Sequence, residues 1–220
     1  MLKALFAAFK SGDTLDLAFS QLSEMLDHAQ WMFIRANEVL RRKVAAEDVK
    51  EAILARDKAV NDLLRSIRRK IVRHLTINPG NEVAASLALM SVAKDAERIG
   101  DYCKNVFEVG QFYTEDFHVE KYNDPLEEIR VEVEGLFDLA RRAFADNDSQ
   151  IAKNTLKAAD AIGDRCNDVI EHLLGDTDSI KTHEAVAYSL LARHYKRVSS
   201  HLANVSTAVL GRVEDLDFRI

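Results

Sequence analysis

"AKDAERIGDYCKNV" (Ala93–Val106) lies over "ARHYKRVSSHLANV" (Ala192–Val205) when the chain is slid by 99 residues. Ala93, Arg98, Asn105 and Val106 then meet identical residues, Lys94 meets Arg193, and Ile99 meets Val198. The first stretch belongs to a run of Leu89, Ala93, Ala96, Gly100, Cys103, Phe107 and Gly110 that steps by fours and threes. That is the period of a helix seam. Each stretch falls on the third helix expected in its half of the chain, which predicts a duplicated unit.

Working outward, the same stepping recurs. Ala18, Leu22, Met25, Ala29, Met32, Ala36 and Val39 predict a first helix over about Asp13–Lys43. Val49, Ile53, Val60, Leu64, Ile67 and Ile71 predict a second over about Ala46–Thr76. "INPGNE" (Ile77–Glu82) then breaks the chain with Pro79 and Gly80, and a third helix starts near Asn81. In "TEDFHVEKYNDP" (Thr114–Pro125), Asp124 is the expected cap and Pro125 the first helical residue. Glu127 and Glu128 suit the positive end of the dipole of that fourth helix. Its stripe is Leu126, Ile129, Val133, Leu136, Ala140 and Ala143. After "DNDS" (Asp146–Ser149) a fifth helix is expected from about Gln150 to Leu174, ended by Gly175, and a sixth from Thr182 to about Val213. Long helices joined by short loops are antiparallel neighbours. The expected fold is all-α: two tandem antiparallel three-helix bundles, residues 1–118 and 119–220.

Composition agrees. Only two prolines, Pro79 and Pro125, stand in 220 residues, too few turn formers for a sandwich or barrel. A net charge of −6 argues against a nucleic-acid binder, which needs a basic face. One basic stretch, "RSIRRKIVR" (Arg65–Arg73), reads as a solvated helix face with Ile67, Ile71 and Val72 turned inward. Cys103 and Cys166 fit neither a disulfide framework nor a zinc pattern and are expected as buried thiols. No apolar run is long enough to span a membrane. The start, "MLKALFAAFKSGD" (Met1–Asp13), lacks a signal-peptide pattern; it packs on the protein or lies on a membrane surface. The expected location is cytoplasmic.

The third helix carries an oddity: Glu97 and Asp101, four apart, flank Gly100, although glycine costs a helix interior about 1 kcal/mol. Asp57 and Asn61 form a similar pair on the second helix. Both pairs are centred 20 residues from Pro79, so an antiparallel hairpin puts them at one height. Converging carboxylates repel, and a cation relieves the repulsion. An all-oxygen set suits a hard ion such as Mg²⁺, Ca²⁺, Mn²⁺ or iron. The plain alternative is a solvated face whose acids pair with Arg56, Lys58, Lys94, Arg98 or Lys104.

"ERIGDYCKNVFE" (Glu97–Glu108) resembles the signature of the PhoU family of phosphate-signalling proteins, with its acid-x-x-x-Asp motif, following Asn and short apolar-acidic tail. The resemblance, which covers nearly the whole chain, implies tandem three-helix repeats. It implies a non-enzymatic regulator that links a phosphate-transporter ATPase subunit to a sensor histidine kinase. It also implies metal on the acidic motifs of some members. The second-helix motif matches Asp57 and, with Asn for an acid, Asn61; in the second repeat it is matched to Asp164 and Asp168. Opposite these stand Lys196 and Ser200 in place of Glu97 and Asp101. Lys196 is therefore expected to pair with Asp164 or Asp168, and the first repeat is favoured over the second as a metal site. His194 and His201 are the other candidates for a mixed second site. A homodimer and peripheral membrane contact are left open.

Two other classes compete. A ferritin-like di-iron enzyme needs Glu-x-x-His on two helices. The chain has one such match, Glu115 to His118, in the polar stretch between the halves. A ligand-free helical scaffold needs no site at all.

Overall fold

The structure, a computed structural model, describes residues 13–77 and 82–210, with side chains from residue 16 on. It contains α1 (Asp13–Leu40), α2 (Ala46–Ile77), α3 (Val83–Phe112), α4 (Glu120–Asp146), α5 (Ser149–Gly175) and α6 (Thr182–Leu210). No strand occurs among the described residues. The start of the chain, the Pro79 turn and the continuation of the last helix to Val213 lie outside them.

α1, α2 and α3 pack as one antiparallel bundle, and α4, α5 and α6 as another. The burial pattern of each helix recurs in its counterpart. Leu22, Met25, Ala29, Met32 and Ala36 of α1 match Leu126, Ile129, Val133, Leu136 and Ala140 of α4, each 104 residues on. Ile53, Val60, Leu64 and Ile67 of α2 match Thr155, Ile162, Cys166 and Val169 of α5, each 102 on. Leu89, Ala96, Cys103 and Val106 of α3 match Tyr188, Tyr195, Leu202 and Val205 of α6, each 99 on. The offset shrinks because the second repeat has shorter helices and a shorter first turn.

The repeats join mainly along α3 and α6, which run antiparallel. Contacts across this seam obey an approximate twofold relation. Asp95 meets His201, and their counterparts His194 and Tyr102 also meet. Ile99 and its counterpart Val198, both fully buried, lie at the middle. α1 also reaches the second repeat: Phe33 packs on Phe137 and on Tyr195, at 5.8 and 5.6 Å between ring centroids. The Tyr195 hydroxyl donates to the Asn37 side-chain oxygen, and the Asn37 amide donates to the Phe33 carbonyl at 2.8 Å. These buried polar groups are satisfied, as they must be when water is excluded.

The structure corrects the local reading at three places. α4 begins at Glu120, so Pro125 lies inside the helix and Asp124 is not its cap. The early start follows from Tyr122, which is buried against Tyr188 and donates its hydroxyl to Asp176. That anchoring offsets the hydrogen bond a mid-helix proline forfeits. Val72 is exposed, whereas Ile67 and Ile71 are buried, because the stripe of α2 is narrower than the apolar run suggests. α1 ends at Leu40 instead of near Lys43. Arg42 takes a left-handed φ of 55°, and the Lys43 N–H donates back to the Glu38 carbonyl at 2.9 Å, which closes the helix end.

Glycine has a positional role at Gly110. A Cβ there would stand 3.0 Å from the Leu40 nitrogen and 3.1 Å from its Cα, so the end of α1 rests on bare α3 backbone. Gly100 differs: a Cβ would meet Val60 at 3.6 Å, an ordinary contact.

Candidate functional site

The hairpin of α2 and α3 presents the acidic face of the first repeat. Gly100 lies against Val60, which sets the two helices in register, and Asp57 and Asp101 are then close enough to share one partner. That partner is Lys104: its ammonium donates to Asp57 at 3.1 Å and to Asp101 at 3.5 Å. Lys104, one turn on from Asp101, projects from the same face of α3. Burial pulls the Lys104 ammonium down, but its hydrogen bonds to, and the charges of, Asp57 and Asp101 outweigh this and raise it above the usual lysine value. Glu97 takes a partner from its own helix, Lys94. Asn61 turns its amide back onto the Asp57 carbonyl at 3.0 Å.

The four residues thus share a face but do not converge as ligands. Among the described residues no group of three or more His, Cys, Asp or Glu is placed to hold a metal ion. Asp57 and Asp101 already have a cation between them, and it belongs to the chain. As arranged, the donor set does not fit a bound metal.

The second repeat departs further. Lys196 donates to the Asn167 side chain at 2.6 Å, and makes no ion pair with Asp164 or Asp168. Both of those acids are exposed. On α5 the two acids are displaced along the helix as well as around it. Burial aligns α2 with α5 at an offset of 102, which makes Ala159 and Gly163 the counterparts of Asp57 and Asn61. Asp164 and Asp168 stand 107 residues on, five residues past those counterparts, which is about 7.5 Å further along α5 and turned toward solvent. Lys196 lies across Gly163, its Cε 3.9 Å from where a Cβ would be. The second repeat has no acidic motif at the equivalent place.

His194 and His201 face α3, away from α5. His201 bonds through Nδ1 to Asp95 at 2.7 Å, and Asn204 donates to the same carboxylate oxygen at 3.0 Å. Tyr102 stacks on His201 and receives Arg197 on its hydroxyl at 3.1 Å. Burial, then the nearby Arg193, hold His194 below the usual imidazole range. This seam cluster was hidden in the sequence, although the 99-residue match already paired Asn105 with Asn204 and Asp95 with His194. The lone Glu-x-x-His match also comes apart: Glu115 pairs with Lys181 and His183, and the His118 backbone N–H donates to buried Glu184. Both cysteines are buried. Burial pushes Cys103 far up, and it pushes Cys166 up to about 12. Neither is a thiolate nucleophile. No described helix is long and apolar enough to cross a membrane.

Comparison with known proteins bears on this geometry. A model for the PhoU domain matches residues 22–109 and again residues 126–209, one match per bundle. The fold is similar to that of PhoU from Pseudomonas aeruginosa, with a TM-score of 0.79 and 20% identity over 90% of this chain and 95% of that one. It is also similar to the phosphate transport system regulatory protein PhoU from Streptococcus pneumoniae, with a TM-score of 0.72 and 18% identity over 89% of this chain and 94% of that one. No curated protein matches the chain by sequence.

Proposed function

Because the chain belongs to the PhoU family, whose members are regulators of phosphate transport rather than enzymes, we propose that it is a cytoplasmic adapter with two docking faces. One face would meet the ATPase subunit of a phosphate transporter and the other a sensor histidine kinase. One observation carries this reading: a single packed body presents two equivalent helix hairpins of unlike chemistry. The α2–α3 face holds Asp57, Asp101 and Glu97 with their lysines. The α5–α6 face holds Lys196 and Asn167 with exposed Asp164 and Asp168. Like repeats with unlike faces support two different partners. Electrostatic complementarity supplies specificity and on-rate more than bulk affinity.

Binding measurements with the purified ATPase subunit and the kinase test this. Asp57→Asn with Asp101→Asn should weaken one partner about tenfold and leave the other unchanged, and Lys196→Glu should do the converse. If both variants weaken the same partner, or neither partner binds the wild type, the two-face adapter is wrong.

The hard-cation reading of Asp57, Asn61, Glu97 and Asp101 is a separate proposal, conditional on Lys104. A cation at this face takes the place of the Lys104 ammonium. Elemental analysis of Lys104→Met should then show metal that the wild type lacks and that a further Asp57→Asn removes. Equal metal content in all three proteins would end the idea. The face would then be a ligand-free interaction surface, a reading its internal ion pairs support.

A further inference from the structure

The exposed side of α2 changes character along its length. Toward the hairpin end it carries Arg65, Arg68, Arg69, Val72 and Arg73, which step by threes and fours and so share one face. Arg65 pairs with Asp62 of its own helix; Arg68, Arg69 and Arg73 are exposed and make no ion pair among the described residues. Three arginines thus stand together with no acid partner among the described residues, on a chain of net charge −6. Attraction to the helix C-terminus does not account for them. That effect fades within the last turn, where the basic residue is His74, and His74 is engaged by Glu82 at 2.9 Å.

The fold does not require the arginines either. The α5 counterparts, 102 residues on, are Asn167, Ile170, Glu171 and Gly175, in the same architecture. The stripe belongs to one repeat and is an addition to its fold.

Apolar side chains accompany the charge. Val72, in the middle of the stripe, is 60% exposed, and Ile77 at the end of α2 is 63% exposed. The register set by Gly100 against Val60 places Leu87 of α3 at the height of Arg73, and Val83 at the height of Ile77. Leu87 and Val83 are 50% and 40% exposed. The hairpin end thus exposes arginines and aliphatic side chains at matching heights. No Phe, Trp or Tyr stands between Arg65 and Ile77 to stack on a base, and the overall negative charge repels a nucleic acid. Arginines around exposed aliphatics match the chemistry of an anionic lipid interface: charge for the headgroups, apolar tips for the acyl boundary.

We propose that the end of the α2–α3 hairpin docks on an anionic bilayer surface through Arg68, Arg69, Arg73, Val72 and Leu87. This does not depend on which proteins the two faces bind.

Co-sedimentation with vesicles decides it. The full chain should bind vesicles of mixed phosphatidylglycerol and phosphatidylcholine, should bind phosphatidylcholine alone weakly, and should lose binding as salt rises. Each arginine near an anionic surface is worth about fivefold, so Arg68→Gln, Arg69→Gln and Arg73→Gln together should lower partitioning about 100-fold. Val72→Ser with Leu87→Ser should weaken binding to anionic vesicles with the salt dependence retained. A charge-matched control, Arg142→Gln with Lys153→Gln and Lys157→Gln, removes exposed cations from α4 and α5 and should bind like the wild type. Circular dichroism confirms that each variant is folded. The proposal is overturned if the wild type does not distinguish anionic from neutral vesicles, or if the stripe variant binds as well as the wild type. It is also overturned if the control loses as much, or if the stripe retains a labelled DNA duplex but no vesicle.

Discussion

The first and second repeats share a backbone plan and differ where their second and third helices meet. In the first, a lysine of α3 bridges acids of both helices. In the second, Lys196 stands where α3 has Glu97, and Gly163 replaces the side chain of Asn61, so the lysine lies flat across α5 and bonds Asn167. A hairpin can therefore keep its apolar seam and exchange its polar layer. The seam sets position, and the polar layer is free to take on recognition. That separation of roles is what a duplicated unit needs for its copies to diverge.

The strongest test of the comparison lies at the far end of α3. Gly110 has Val209 as its counterpart, so only the first repeat brings a neighbouring backbone onto this position. Gly110→Ala should destabilise the protein by about 1–3 kcal/mol, because the neighbour that must yield is the Leu40 backbone. Denaturant unfolding would show it; an unchanged midpoint would mean that α1 and α3 are not so close.

Next come the lysines. Lys104→Met leaves Asp57 and Asp101 facing each other without a counter-charge and should cost about 1 kcal/mol, allowing for their partial exposure. Lys196→Met loses one exposed hydrogen bond and should stay within about 0.5 kcal/mol of the wild type. Equal losses would erase the difference between the two polar layers.

The glycines should behave alike. A Cβ finds Val60 at 3.6 Å from Gly100 and Lys196 at 3.9 Å from Gly163, so neither helix needs the bare backbone. Gly100→Ala and Gly163→Ala should each stabilise by about 0.5–1 kcal/mol in thermal unfolding. A loss at Gly100 would show that α2 and α3 pack closer there than a Cβ allows.

The smallest expected effect concerns pH. The Lys104 value is raised in the folded state, so its contribution is complete below the unfolded lysine value of about 10.4 and fades as pH climbs through the folded one. The stability gap between wild type and Lys104→Met should be constant near neutrality and narrow only in that alkaline range. A gap that narrows near neutrality would mean that another group carries it.

Much of this was legible before any coordinates. Every apolar position assigned to the seams of the first and fourth helices is buried, because a period of 3.6 admits only one inward stripe. Equal distances from Pro79 put the two motifs of the first repeat at matching heights, because both helices rise equally per residue. Height, however, is only one of two coordinates on a helix. The second-repeat motif failed in both: Asp164 and Asp168 lie five residues past Ala159 and Gly163, about 7.5 Å along α5 and turned toward solvent, and a spacing of four residues is the same on every face of a helix.

The partners of charged side chains were the other unknown. From the sequence, five cations could have paired with the acids of the first repeat; packing selected Lys94 and Lys104. His201, a candidate for a mixed site in the second repeat, meets Asp95 from the other repeat. The early start of α4 likewise depended on Tyr122 finding Tyr188 and Asp176, more than 50 residues away. By itself the sequence determined six helices, their duplication, their inward faces and their family. Those follow from local periodicity and from self-similarity, both of which are written along the chain. Only the tertiary structure decided which charge neutralises which, how the copies meet along α3 and α6, and which arginines are left in solvent. Those are contacts between distant residues, and the orientation of one helix about its axis relative to the next is fixed only when their side chains pack.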